Sequence, residues 1–342
     1  MAPPDYSKWK MNHTMIRVKD PKRTIAFYNQ LGLNVVAKLP QPTANFDLYF
    51  LGYDYHTSES AGKERSDREG LLELTHNYGT ETDDNYKVST GNDGPLGFGH
   101  IGIAVDNIQA AAKRLDGLGV QWHEKLEQGL PHRAFCLDPD GYQVELVSRD
   151  HKATVNETTT DVETYRFNHT AIRVKDPKVS LKWYEETLGM SLLRTVERDD
   201  LTLYFVGYPG AKGNPTQGPA GDTSNYLSDR EGLVELIWIH GSENKEGKVY
   251  HNGNNEPQGF GHLCKLPSQQ ALMGTPGANT NPIGVAVDDL QAACDHFEET
   301  KVNWKKRLTD GRMKTIAFIM DPDDYWVEII QNSTIKQPLG VQ

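Results

Sequence analysis

The sequence predicts an α+β fold made of four βαβββ modules arranged as two tandem halves. The chain has 342 residues, enough for two domains of ordinary size. Residues 12–22 read NHTMIRVKDPK, and residues 168–178 return as NHTAIRVKDPK. Within each half, the order of a strand, a helix and further strands occurs twice. The chain is therefore a duplication whose halves each contain two copies of one unit.

The first module begins with alternating side chains from His13 to Val18, which is the pattern of a strand. Asp20 followed by Pro21 predicts a helix N-cap with proline at the first helical position, and the helix should end at Gly32. Extended runs at 46–51 and 71–76 supply further strands. We interpret this order as one βαβββ unit.

The same order restarts at His100, with an apolar strand to Val105 and a helix capped by Asp106. Strands are expected near Val120, at 134–137 and at 144–147. The predicted plan is a first half at 1–148, a polar linker at 149–166, a second half at 167–332 and a tail at 333–342.

Residues 265–284 interrupt the second half within the counterpart of the strand that starts at His100, two residues after His262. The first half reads HIGIAVD from residue 100, and removing these 20 residues from the second half gives HLCVAVD from residue 262. A segment rich in proline, glycine, asparagine and glutamine cannot continue a strand. Its codons can encode a splice donor, a branch sequence and an acceptor. We hypothesise a translated in-frame intron; the alternative is a genuine surface loop.

The formal net charge of −11 argues against nucleic acid or an anionic membrane as the main partner, because both require a cationic face. The three cysteines, Cys136, Cys264 and Cys294, show no CxxC spacing, and we find no signal peptide or membrane span. A reducing, cytoplasmic setting is therefore expected.

Three further motifs repeat and carry polar side chains. Residues 68–74 match 230–236, residues 97–100 match 259–262, and residues 138–145 match 321–328. Each half thus supplies histidine, glutamate, histidine and glutamate in that order. A single strand histidine is commonly structural, but a glutamate between leucines must be buried with a partner. The eight candidate metal ligands are His13, Glu73, His100, Glu145, His169, Glu235, His262 and Glu328.

Two imidazole nitrogens and two carboxylate oxygens suit Zn²⁺, and also Ni²⁺, Co²⁺, Mn²⁺ or Fe²⁺. Four such ligands could close a structural site. Alternatively, a carboxylate that leaves the metal could act as a base.

The segments HTMIRVKDP, ELTHNYGTE, GFGH and DPDGY followed by glutamate resemble glyoxalase I (lactoylglutathione lyase) in its double-length, monomeric fungal form. The resemblance spans nearly the whole chain. It implies the vicinal-oxygen-chelate fold and a small-molecule substrate, the hemithioacetal of methylglyoxal and glutathione, which is isomerised to S-lactoylglutathione. Glutathione would then be the co-substrate.

The resemblance also implies that the first module pairs with the fourth, and the second with the third. One metal site would comprise His13, Glu73, His262 and Glu328. The other would comprise His100, Glu145, His169 and Glu235. The catalytic bases implied are Glu328 and Glu145. Independently of the family, a proton removed from the carbon next to a carbonyl leaves an enediolate that needs a cation.

Contacts to the glutathione carboxylates map by the same resemblance onto Arg17, with Arg173 as its repeat, and onto Asn77. The basic segment of the fourth module supplies Lys306, Arg307, Arg312 and Lys314. Arginine's planar fork suits a carboxylate. The alternative for Arg17 and for the lysines is a solvent-facing position.

The two sites are expected to differ. Ile239 replaces the asparagine found at Asn77, and the segment 129–135 is shorter than its second-half counterpart and lacks the lysine. Two other functions stay open. One is a ring-cleaving dioxygenase of the same fold using Fe²⁺; the other is a metal-binding or glutathione-binding module without catalysis.

Overall fold

A computed structural model of the protein describes residues 4–126, 132–149, 158–208, 227–260, 283–310 and 314–333. It contains two eight-stranded sheets with helices packed beside them, so the predicted α+β architecture of four modules is confirmed. Among the described helices, none combines the length and the apolar character required to cross a bilayer.

The first module contains one strand that the sequence pattern did not reveal. The Asp20 side chain accepts a hydrogen bond from the Lys22 amide at 2.9 Å, which confirms the predicted N-cap. The additional strand, β2, is mostly exposed at an edge of its sheet, so it lacks the apolar alternation that identifies buried strands. The elements are β1 Lys10–Arg17, α1 Pro21–Gln30, β2 Asn34–Gln41, β3 Phe46–Gly52 and β4 Leu71–Asn77.

In the second module the helix cap is Asn107 and not Asp106. The Asn107 side chain accepts a hydrogen bond from the Ala110 amide at 3.1 Å. Asp106 instead accepts from the Asp161 amide at 2.8 Å, which ties the end of the linker to this module. The elements are β5 Phe98–Val105, α2 Ile108–Gly117, β6 Gln121–Glu124, β7 Arg133–Leu137 and β8 Gln143–Ser148.

The second half repeats these elements in the same order. Asp324 has φ of +64° at the turn where the first half has Gly141, a conformation that aspartate tolerates at modest cost. The third module comprises β9 Arg166–Arg173, α3 Pro177–Leu188, β10 Ser191–Glu197, β11 Leu201–Gly207 and β12 Leu233–Ile239. The fourth comprises β13 Ile283–Val287, α4 Leu290–Glu299, β14 Trp304–Lys306, β15 Ile316–Met320 and β16 Trp326–Gln331.

Each sheet joins one module from each half. The first sheet has the order β14-β15-β16-β13-β1-β4-β3-β2, and the second has the order β10-β11-β12-β9-β5-β8-β7-β6. The seams are antiparallel pairs of β1 with β13 and of β5 with β9. The expected pairing of the first module with the fourth, and of the second with the third, is therefore present in the sheets.

The predicted insertion at 265–284 lies outside the described residues except for its last two positions, which belong to β13. There Gly284 pairs with His13, as Gly102 pairs with His169 in the other sheet. Both glycines lie directly against an imidazole, and a Cβ on either would meet the ring at 2.1 Å. In this register Ile283 and Gly284 continue the repeat, which differs from the boundary predicted at 284.

One hydrophobic core runs through all four modules. It includes Tyr28, Leu115, Tyr184 and Phe297, one from the helix of each module, all nearly inaccessible to solvent. Between the sheets, the rings of Phe98 and Phe260 stack with centroids 4.3 Å apart. The shared core holds the sheets together and buries the strands that carry the candidate ligands.

Candidate metal centres

The second sheet gathers four candidate ligands from four strands. His100 lies in β5, Glu145 in β8, His169 in β9 and Glu235 in β12, and all four are buried. The Oε2 atom of Glu145 is 3.2 Å from Nε2 of His100 and 3.2 Å from Nε2 of His169. Glu235 Oε2 is 3.3 Å from His169 Nε2. The residues predicted for this site are thus brought together.

The donor set of this cluster fits a divalent cation. One ligand atom from each residue can be chosen so that all lie within 4.8 Å of one another. Ligands at the usual distances from zinc, roughly 2.0–2.2 Å, would be separated by about 3.3 Å in a tetrahedron. The Nε2 atoms of His100 and His169 are 3.1 Å apart. Two ring nitrogens aimed at one point beside two carboxylates are satisfied together by a cation.

An asparagine precedes the first histidine ligand in both halves, and it fixes which nitrogen of the histidine ring faces the centre of the cluster. The Asn168 side-chain amide donates to the backbone carbonyls of Leu227 and Arg230, so its oxygen must accept. That oxygen is 2.8 Å from Nδ1 of His169, which therefore carries the proton. The lone pair of Nε2 then points into the cluster, as a metal ligand requires.

The first sheet holds the equivalent cluster with His13, Glu73 and Glu328, all buried. His13 Nε2 lies 3.2 Å from Glu328 Oε2 and 3.5 Å from Glu73 Oε2. Asn12 Oδ1 lies 2.9 Å from His13 Nδ1, which repeats the orientation found in the second sheet. The fourth predicted ligand, His262, lies outside the described residues.

Burial controls the carboxyl groups of both clusters. It raises the pKa of Glu73 well above its usual value, and the nearby charge of Glu328 raises it further. Burial likewise raises the pKa of Glu235, although His100 and His169 oppose the shift. For Glu145, the same two histidines outweigh burial and lower the pKa. Glu145 is thus the carboxylate of its cluster that most readily stays ionised.

The predicted substrate contacts of the first site occupy varied positions. Arg17 is fully buried, and its Nη1 donates to the carbonyls of Gly253 and Gly259 at 3.2 and 3.0 Å, so the solvent-facing alternative is wrong. Asn77 is half-buried at the end of β4. Lys306 is buried, which lowers its pKa, and the negative charge of nearby Glu328 opposes that shift.

Two members of the basic segment give no such support. Lys314 is exposed, and its Nζ donates to the Thr309 carbonyl. Arg312 lies outside the described residues.

The second site differs at three of these positions. Arg173 is only partly buried and lines a cavity together with His100, Glu235 and Ile239, so it is more accessible than Arg17. Ile239 occupies the position of Asn77. Glu124 pairs with Phe135 where Lys306 pairs with Phe318, so an acid replaces a base.

Sequence reasoning missed three arginines around the second cluster. Arg133 Nη1 lies 3.7 Å from Glu145 Oε1, and its guanidinium lies over the Phe135 ring at 5.1 Å. Arg194 and Arg198 line a cavity beside Glu145 and Glu235. Continued alternation through 191–198 could have placed both on one face of a strand.

Two fungal proteins are similar over almost the full length. The chain is 40% identical over 333 residues to lactoylglutathione lyase from Schizosaccharomyces pombe, covering 96% of this chain and 98% of that protein. It is 36% identical over 336 residues to glyoxalase I from Saccharomyces cerevisiae, covering 95% and 93%. A family model described as Glyoxalase/Bleomycin resistance protein/Dioxygenase superfamily matches residues 10–146 and 166–329.

The crystal structure of glyoxalase I from Zea mays shares the fold, with a TM-score of 0.60 and 22% identity. The comparison covers 96% of this chain and 95% of the maize chain.

Proposed function

The chain belongs to the glyoxalase/bleomycin resistance protein/dioxygenase superfamily, and we propose that it is a lactoylglutathione lyase with two metal-dependent sites. Its reaction isomerises the hemithioacetal of methylglyoxal and glutathione to S-lactoylglutathione. The observation that carries the proposal is the buried cluster of His100, Glu145, His169 and Glu235. Its first-sheet counterpart repeats the same residue types.

Each site would hold one metal through two histidines and two glutamates. We propose Zn²⁺ in both, because imidazole and carboxylate donors at these separations suit its tetrahedral preference. The bound ion supplies positive charge that stabilises the enediolate. In the first site, His262 completes the set with His13, Glu73 and Glu328.

Glu145 and Glu328 are the proposed bases. In the second site, Oε2 of Glu145 faces the two histidines, whereas Oε1 lies toward Arg133. A cation held beside the two histidines would keep the Glu145 carboxylate ionised, so that it can accept the proton from the carbon next to the carbonyl. The same carboxylate can return the proton to the adjacent carbon, and the isomerisation is complete when the hydroxyl proton of the hemithioacetal has also moved to the former carbonyl oxygen.

Glutathione is proposed to lie on the side of each cluster marked by the repeated arginine. In the second site Arg173 reaches the cavity, and its Nη1 is held by the carbonyls of Gly91 and Phe98 at 3.0 and 2.7 Å. In the first site, Arg17, Asn77, Lys306, Arg312 and Lys314 are the proposed carboxylate contacts. The first site offers more polar contacts and should dominate at low substrate concentration.

A single chain contains both proposed sites, because each sheet already joins two modules. We therefore propose a monomer. The buried cysteines Cys136 and Cys294 are unpaired, which agrees with the proposed cytoplasmic setting.

The test is turnover of the preformed hemithioacetal, followed by the absorbance of the thioester product. Activity should disappear when chelation removes the metal and return with Zn²⁺. The matched control is a Glu145→Gln, Glu328→Gln double variant, which should lose turnover while retaining the fold. An unchanged rate after verified metal loss would exclude the mechanism. Absence of turnover in the metal-loaded protein would favour a binding module.

A further inference from the structure

A cavity of about 340 Å³ opens beside the second cluster and is bordered by Glu145, His169 and Glu235. A second cavity lies on the side of His100 and Arg173, and the two cavities meet at Arg133, Arg198, Leu203 and Glu235. Because glutathione is proposed to lie on the Arg173 side, the first cavity is where the aldehyde-derived part of the substrate would extend. The inference below rests on that proposed function.

The wall of this cavity carries two neighbouring guanidinium groups. Arg194 lies in β10 and Arg198 directly follows the strand, with Val196 between them on the same side. Arg194 is partly buried, whereas Arg198 lies at the exposed mouth. Burial and the positive charge of Arg198 both lower the pKa of Arg194. Among the described side chains, no carboxylate forms an ion pair with either group.

The equivalent wall of the first site lacks this pair. Arg194 pairs with Phe205, whose ring meets His169 edge-on at 5.6 Å. In the first sheet Ala37 pairs with Phe50, whose ring meets His13 in the same way at 5.6 Å. Ala37 is therefore the counterpart of Arg194.

Four residues further along the first-half strand, Gln41 is the counterpart of Arg198. The first site instead has Arg65 over the Phe50 ring at 4.5 Å, and the charge of Arg65 acts on Glu73. Among the described residues, the two sites therefore present cations at different places, and Arg194 and Arg198 line the cavity of the second site.

We propose that the second site takes glutathione adducts of 2-oxoaldehydes that carry an oxyanion, a carboxylate or a phosphate-type group, at the end remote from the aldehyde. Two guanidinium groups on one wall of the cavity provide the planar donors that such a group accepts. An anion there would also relieve the repulsion between Arg194 and Arg198. The neutral methylglyoxal adduct would leave that pair uncompensated, which gives the two sites different substrate ranges.

The test compares binding of three stable thioethers, S-benzylglutathione, S-(4-carboxybenzyl)glutathione and S-(4-phosphonobenzyl)glutathione, by titration calorimetry on the full metal-loaded chain. The second site should bind at least one of the two charged compounds about 10-fold to 100-fold more tightly than it binds S-benzylglutathione. The carboxy and phosphono compounds show which oxyanion fits.

The decisive variant is Arg194→Ala with Arg198→Gln, which installs the residues of the first site. It should abolish the preference for the charged compounds, and any loss of S-benzylglutathione binding, which could arise because Arg198 also lines the second cavity, should be smaller. Arg194→Lys with Arg198→Lys controls for charge and should keep part of the preference. If circular dichroism shows that the double variant misfolds, Arg198→Gln alone should reduce the preference.

Equal weakening of all three ligands, or a preference that survives the double variant, would overturn the proposal. Failure of the proposed function is detected separately. It would appear as absent turnover of the methylglyoxal adduct by the unsubstituted protein, whatever the binding preference.

Discussion

Replacing each proposed base in turn tests whether the two sites are unequal. The variants are Glu328→Gln and Glu145→Gln, made in a chain without residues 263–282, so that His262 is followed directly by Ile283 and Gly284 of β13. The second site has Ile239 in place of Asn77 and Glu124 in place of Lys306. One lost contact to a charged group costs about 1.5 to 3 kcal/mol, so the second site should have about 10-fold to 100-fold lower kcat/KM.

This ratio fixes how the total rate divides when substrate is well below KM. Loss of a general base slows its site by about 10²-fold to 10⁴-fold, so each variant leaves essentially the other site. Glu328→Gln should retain about 1 to 10% of the rate, and Glu145→Gln about 90 to 99%. The assay is initial thioester formation from the methylglyoxal adduct, with metal content measured for each protein. Equal losses in the two variants would refute the ranking.

Four further outcomes are expected. Ile239→Asn should lower the KM of the second site in the Glu328→Gln background by up to about 10-fold, whereas Ile239→Val should not. Burial raises the pKa of Glu231 to about 8. A carboxyl group whose pKa is raised in the folded state contributes stability that is fully present below its unfolded-state pKa of about 4.5 and is lost as the pH rises through about 8. Glu231→Gln should therefore raise Tm by a few degrees at pH 9 and not at pH 4, and a uniform shift would contradict this. Burial raises the pKa of the thiols of Cys136 and Cys294 to about 12, so in a Cys264→Ser protein neither should react with a disulfide reagent at pH 8 until urea unfolds the chain. Mature transcripts should lack 60 nucleotides between the codons of His262 and Val285, and the shorter protein that keeps the β13 register should bind more metal; uniform retention in the message would refute the intron.

The repeat made the metal clusters predictable from sequence. His13 and Glu73 alternate with apolar neighbours in buried strands, so their direction followed from strand geometry, and their recurrence at His169 and Glu235 marked all four as candidate ligands. The grouping of the eight candidates into two sites was implied by the resemblance to glyoxalase I. The N-cap at Asp20 was predictable for a similar reason, since Pro21 marks the first helical position.

Edge strands and competing caps were not predictable in this way. β2 and β10 are exposed on much of their surface, so apolar alternation does not identify them. Arg194 was not identified as a site residue because the strand that contains it, β10, was not identified. Asp106 and Asn107 are both good capping residues, and only the contact of Asp106 with the linker decides between them. Local sequence contains no information about that distant contact.

The seam between β1 and β13 has a consequence for synthesis of the chain. β1 leaves the ribosome before its neighbour β13, which lies more than 260 residues later. Until then one side of β1 presents free amide and carbonyl groups, which attract other extended chains. The second sheet closes much earlier, because β5 and β9 are nearer in sequence. A nascent chain should therefore assemble the second sheet, which contains β5 and β9, before the first, and it should depend on chaperones until β13 pairs with β1.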